Sequence, residues 1–132
     1  MKTFASVLAG AALLLSGATA ASAETVAEKG EAELARLLDG RTAGEPVSCI
    51  TAHNSNRLRV IEHVGVVYDA WKTIYVSRAT DPKSLGPWDV PVIERFGSQL
   101  CKTDIMRTVD RSGGFLSGIV FLNDFVPYTK AG

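Results

Sequence analysis

The stretch RLRVIEHVGVVYDAWKTIYVS, residues 57–77, is the part of this chain that commits it to a β fold. Arg57 to Glu62 alternates, with Leu58 and Val60 on one side, and Val64 to Tyr68 continues in β-branched residues. Asp69-Ala70-Trp71-Lys72 has the make-up of a hairpin loop, and Thr73 to Ser77 reads as the return strand. Gly65 is expected to mark a bulge between the first two runs.

Working outward, further short strands are expected on both sides. Val47 to Thr51 is a short strand carrying Cys49, followed by the polar turn His53-Asn54-Ser55-Asn56. Residues 79–89 form the longest irregular stretch, with Asp81-Pro82, Gly86-Pro87 and an aromatic, Trp88. Val90 to Phe96 fits an edge strand, because Pro91 cannot donate to a ladder. Leu100 to Val109 fits either a helix or a strand. Phe115 to Leu122 is apolar on both faces and is expected to be a central strand. Phe125 to Tyr128 closes the domain.

Upstream, residues 24–40 read as a helix. Ala27, Leu34, Leu37 and Leu38 fall near one face, and Glu28, Lys29, Glu31, Glu33 and Arg36 fall mostly on the other. Gly30 weakens its start, and Gly40 stops it. Short loops favour antiparallel pairing. The expected fold is therefore α+β, mainly β: an N-terminal helix packed on a small antiparallel sheet, curled or barrel-like.

Before the helix, Lys2 supplies a charged start, Phe4 to Leu15 is almost unbroken apolar sequence, and residues 18–23 are small. That is the order of a secretory signal peptide. Ala21 and Ala23 meet the small-residue requirement of signal peptidase, which places the cut between Ala23 and Glu24; a cut after Ala20 is the second choice. A spanning helix needs ~20 apolar residues, and this run is shorter and lacks stop-transfer charges. The expected division is a signal peptide over 1–23 and a single small globular domain over 24–132. The expected location is periplasmic or secreted, with no stable membrane anchor after cleavage.

The cut leaves 109 of the 132 residues, with 13 Lys and Arg against 14 Asp and Glu. A net charge of about −1 offers no electrostatic footprint for nucleic acid. Cys49 and Cys101 are an even pair in an exported chain, which argues for a disulfide. Closing a loop of roughly 50 residues is worth about 4 kcal/mol on the chain-entropy argument. A catalytic thiol would have to persist in an oxidising compartment. A zinc site needs three or four clustered ligands, and His53 is the nearest candidate to Cys49.

No catalytic constellation stands out. His53 and His63 are the groups that could titrate near neutral pH, but neither sits beside a recognised nucleophile motif. Residues 114–118, GFLSG, have the wrong spacing for a nucleophile elbow. There is no metal-binding, calcium-loop or phosphate-loop pattern, so no catalytic residue, metal ligand or cofactor is assigned. Asp104, Arg107, Asp110 and Arg111 are expected to form a surface ion-pair cluster. Trp71, Trp88 and Tyr128 could line a groove. Trp88, in its Pro/Gly loop, is the best single candidate for a contact residue.

Three segments carry a resemblance: Leu38 to Ile50 (LDGRTAGEPVSCI), Leu100-Cys101 with Asp104-Ile105, and Phe125 to Lys130 (FVPYTK). Together they resemble a family of small exported proteins of Gram-negative bacteria to which no activity is assigned. The resemblance transfers no catalytic residue. It implies the pairing of the Cys49 segment with the later Leu100-Cys101, which agrees with the disulfide. The function these features suggest is a non-enzymatic periplasmic or secreted binding or interaction domain with an envelope protein as partner. The alternative is a small envelope hydrolase or an enzyme inhibitor, the latter presenting the loop over 79–89.

Overall fold

The computed structural model of the chain describes residues 23–95 and 97–131. The proposed signal segment, Ala23 apart, lies outside them, as does Phe96. Thr25 opens the helix α1 (Val26–Leu37): its hydroxyl accepts from the Glu28 N–H at 3.1 Å, and the Glu28 carboxylate accepts from the Thr25 N–H. This reciprocal cap satisfies two amide donors that would otherwise be orphaned.

Ten strands follow. They are β1 (Arg41–Ala43), β2 (Cys49–Thr51), β3 (Leu58–Ile61), β4 (Gly65–Asp69), β5 (Thr73–Ala79), β6 (Asp89–Ile93), β7 (Gln99–Cys101), β8 (Met106–Asp110), β9 (Leu116–Val120) and β10 (Leu122–Lys130). All pairings are antiparallel. They form a five-stranded sheet in the order β1-β10-β5-β4-β3, a three-stranded sheet β6-β8-β9, and the ribbon β2-β7. The mainly β, antiparallel architecture with one helix is as expected. The sheets curl over a common core but do not close into a barrel.

The stretch over residues 57–77 forms β3, β4 and β5, joined by two hairpins. Gly65 is not a bulge. It opens β4 opposite Ile61, and a Cβ there would meet the backbone of Ser77 and Arg78 on β5. The irregular pairings lie elsewhere, between Leu122 and Phe125 and between Thr108 and Val109. Strand β4 is buried on both faces: Val66 and Tyr68 enter one core cluster, and Val67 enters the other.

The second cluster lies under the helix, where Leu34 packs with Ile61, Val64, Val67, Ile74 and Val76. Gly30, read above as a weakness, is instead a close approach. A Cβ at this position would meet the Glu62 carbonyl and the Val64 side chain.

The first cluster fills the space between the sheets and the ribbon. Phe125, Leu85, Leu100 and Met106 are fully buried in it, beside Ile50, Val120 and Leu122. Cys49 stands directly opposite Cys101 in the ribbon, and the two are disulfide-bonded with Cα atoms 4.0 Å apart.

Phe115 to Leu122 is not a central strand. It becomes β9, at the edge of the three-stranded sheet, and then turns through Phe121 into β10. Val120 and Leu122 point into the core while Phe121 points out, so one chain segment passes from one sheet to the other. The longest strand is β10, and it includes the residues expected only to close the domain.

Candidate functional site

The outer face of the β6-β8-β9 sheet carries the most unusual surface in the described structure. Strand β6 alternates cleanly: Val90 and Val92 are exposed, while Asp89, Pro91 and Ile93 turn toward the interior. The register sets Val90 beside Val109 and Val92 beside Arg107. It then sets Val109 beside Leu116 and Arg107 beside Ile119. One apolar row, Val90-Val109-Leu116, therefore runs across all three strands, and in the next Val92 and Ile119 flank Arg107. Leu116 is 59 % exposed, Ile119 50 % and Phe121, one step past the strand, 67 %.

Trp88 extends the same face. It precedes β6 by one residue, its carbonyl accepts the Arg111 N–H at 3.0 Å, and it is 56 % exposed. The Arg111 guanidinium stands 5.9 Å from the indole centroid, within the range of a cation–π contact. The sequence-based candidate for contact thus stands at one end of an apolar face that the sequence reading did not anticipate. At the other end Arg107 is paired with Glu94 at 3.0 Å.

The inner face of the same sheet explains why the outer face is displayed. Met106, Thr108 and Val120 face the core. The Ser117 hydroxyl donates to Asp89 Oδ1 at 2.7 Å, with the Thr108 hydroxyl 2.9 Å away. Among the described residues no buried side-chain polar atom lacks a partner. The inner side of the sheet is thus committed to the core, and its apolar outer residues are left to solvent.

The other expected sites are dispersed. Asp104, Arg107, Asp110 and Arg111 do not pair with one another. Asp104 accepts the Cys101 N–H at 2.7 Å, Arg107 meets Glu94, and Arg111 stacks on Trp88. Asp110 accepts from Ser112, whose hydroxyl and N–H hold its carboxyl below the usual range. His53 is exposed after β2, and His63 sits at φ 57° in the β3–β4 hairpin. Neither imidazole makes a hydrogen bond among the described residues. No group of three or more His, Cys, Asp or Glu side chains there could hold a metal ion. The loop before β6 is not free to protrude along its length, because Leu85 anchors it in the core.

Trp71, Trp88 and Tyr128 do not share a groove. Trp71 is 73 % exposed at the tip of the β4–β5 hairpin, at φ 72°, and borders a groove of about 450 Å³ with Leu37, Arg57 and Arg59. Its backbone N–H donates to Asp69 Oδ1 at 2.9 Å, and Arg57 stacks 4.5 Å from its ring. Tyr128 borders a different cleft of about 500 Å³, with Arg78 and Lys102. Both cations there are already paired, Arg78 with Glu31 and Lys102 with Asp124 at 2.8 Å. Glu31 is held below the ordinary carboxylate value by the hydrogen bond from Arg78.

Among the described residues no helix is long and apolar enough to cross a membrane, and the disulfide suits an oxidising compartment. No family model matches the chain, and neither does any curated protein or solved structure.

Proposed function

We propose that the protein is an exported, non-enzymatic contact module of the periplasm or the extracellular space, and that it engages an envelope protein through the outer face of the β6-β8-β9 sheet. The exposed apolar residues of that face, Trp88, Val90, Val92, Leu116, Ile119 and Phe121, are the observation that carries this reading. Monomeric proteins rarely expose contiguous apolar patches beyond a few hundred Å², and larger ones mark interaction sites. Covering the face would remove apolar area from water at roughly 25 cal/mol per Å², from which the cost of association is subtracted. An aromatic at the end of such a patch, with Arg beside it, has the residue types enriched at binding hot spots. Export rests on the N-terminal pattern and on the disulfide, which together call for an oxidising compartment.

The test is photo-crosslinking in cells with Trp88→p-benzoylphenylalanine, alongside Trp71→p-benzoylphenylalanine as a comparator on the exposed hairpin. A discrete adduct from position 88, absent from position 71 and abolished by Leu116→Asp with Ile119→Asp, is expected. No adduct from position 88, or the same adducts from both positions, would overturn the reading. The processed chain recovered from the envelope or the medium should have the mass of a protein beginning at Glu24.

A further inference from the structure

We infer that the tip of the β4–β5 hairpin is a reversible docking point for a bilayer surface rich in anionic phospholipid. The Trp71 indole enters the headgroup layer, and Arg41, Arg57, Lys72 and Lys130 meet the phosphates. This surface is distinct from the contact face described above, and neither reading depends on the other.

The first observation is the backbone of the tip. Trp71 is the most exposed large apolar residue among the described residues, at 73 %. Its φ of 72° lies in a region that glycine, asparagine and aspartate ordinarily occupy, and a bulky aromatic there is an outlier. Polar contacts hold it in place. Asp69 Oδ1 accepts the Trp71 backbone N–H. Arg41 reaches across from β1 and donates to the Trp71 carbonyl at 3.1 Å and to the Lys72 carbonyl at 3.0 Å. Arg57 lies over one face of the ring. The surroundings therefore fix an indole that itself buries little. Strain kept at an exposed position by its neighbours points to use rather than to folding.

The second observation is charge. Arg41 stands opposite Lys130 in the ladder, and the Lys130 N–H donates to the Lys72 carbonyl at 3.3 Å. Arg57 joins them by donating to the Asp69 carbonyl at 3.2 Å. Both guanidinium groups are thus bonded to carbonyls of residues 69–72, so their charge stands at the level of the turn. The carboxylates at this end are Asp69, engaged by the Trp71 N–H, and Asp39 in the turn before β1. Among the described residues none of the four cations is paired with a carboxylate, whereas Arg59, Arg78, Lys102 and Arg107 each are. In a chain of zero formal net charge this is an uncompensated positive end.

The two observations together select the occupant. A small ligand in the groove beside Trp71 would meet Arg57 and Arg59 but not Arg41, Lys72 or Lys130, and Arg59 is taken by Glu33 at 3.4 Å. An extended anionic surface laid against the tip meets the whole cluster. An indole joins an apolar body to one polar N–H and settles at the headgroup level of a bilayer. Each Lys or Arg brought to an anionic bilayer is worth about fivefold in partitioning. One indole and four cations give reversible association and not an anchor.

The test is co-sedimentation of the processed chain with vesicles of phosphatidylglycerol and phosphatidylcholine in equal parts, beside vesicles of phosphatidylcholine alone. Binding to the anionic vesicles only is expected. It should fall at least tenfold as NaCl is raised from ~0.1 to ~1 M, where the screening length drops from about 10 to about 3 Å. Trp71→Gly should weaken binding at least tenfold without lowering the unfolding midpoint, since glycine accepts φ 72°. Lys72→Gln with Lys130→Gln should weaken it roughly 25-fold. In a Trp88→Phe chain the emission of Trp71 should shift to the blue on binding. A wild type that binds neither kind of vesicle, or both equally, overturns the proposal, and so does a Trp71→Gly chain that binds as the wild type does. A chain that binds inorganic polyphosphate in solution but no vesicle overturns the bilayer and assigns the cations to a soluble polyanion.

Discussion

The two larger sheets of this protein are built from similar residues and treat their faces differently. The five-stranded sheet is covered on both sides, by α1 over Val67, Ile74 and Val76 and by the shared core over Val66, Tyr68 and Phe125. The three-stranded sheet is covered on one side only, and its other side presents Val90, Val92, Leu116 and Ile119 to solvent. Burial of a valine or an isoleucine is thus set by what packs above it, and similar β-branched patterns serve as core in one sheet and as surface in the other. That contrast can be broken or sharpened by measurements on stability.

The largest effect is expected from Phe125→Ala. Phe125 is fully buried between the sheets, so truncation should cost about 4 kcal/mol in urea unfolding. A loss below about 1 kcal/mol would mean that the shared core does not hold the sheets together. Next comes the disulfide. Cys49→Ser with Cys101→Ser opens a loop spanning 52 positions in sequence and should cost at or a little below about 4 kcal/mol. Thiol titration of the unfolded, unreduced protein should find no free thiol.

A smaller effect is expected from Arg78→Met, which removes the tie between β5 and the helix. Both side chains of the pair are about half exposed, so the loss should stay below about 1 kcal/mol. Its pH dependence has a definite sign. The Glu31 carboxyl is depressed in the folded state by the Arg78 hydrogen bond. The contribution is therefore present above the ordinary carboxylate value of 4.5, and it is lost as pH falls through the lower folded value. Wild type and variant should converge in stability on acidification, and a gap that widened below pH 4 would contradict the assignment.

The smallest effect is expected from Phe121→Ser. An equally large aromatic, four residues before Phe125, should change the unfolding free energy of the monomer by no more than about 0.5 kcal/mol, because it is surface. A cost near that of Phe125→Ala would show that the outer face is covered within a single chain.

What the sequence made legible follows the same division. The β4–β5 hairpin was readable because period-two alternation and the Asp69–Lys72 loop are local signals, whereas the turn at residues 62–64 between β3 and β4 was read as a bulge at Gly65 in one continuing run. The disulfide was readable from parity and compartment, and its register, Cys49 opposite Cys101, was not. Residues 115–122 were misread for a physical reason. An uncharged apolar strand looks the same in sequence whether its own fold covers it or leaves it bare. The length of β10 was hidden by Pro127, which ordinarily argues against a strand interior. Here its missing N–H faces Gly44, one residue beyond the end of β1, so no ladder bond is lost. Trp88 could be singled out as a contact candidate from its Pro/Gly loop, whereas its neighbours on β8 and β9 are brought beside it only by the register of the sheet.

The disulfide has one more consequence, which concerns cleavage by proteases. The exposed positions before β6, among them Lys83 and Pro87, lie inside the loop that Cys49 and Cys101 close. A protease cutting there would produce two fragments, but they would remain a single covalent species, heavier by one water. In the compartment proposed for this protein, such a cut would release no smaller fragment until a reductant was added. A nicked molecule would keep β2 bound to β7 and could retain its shape.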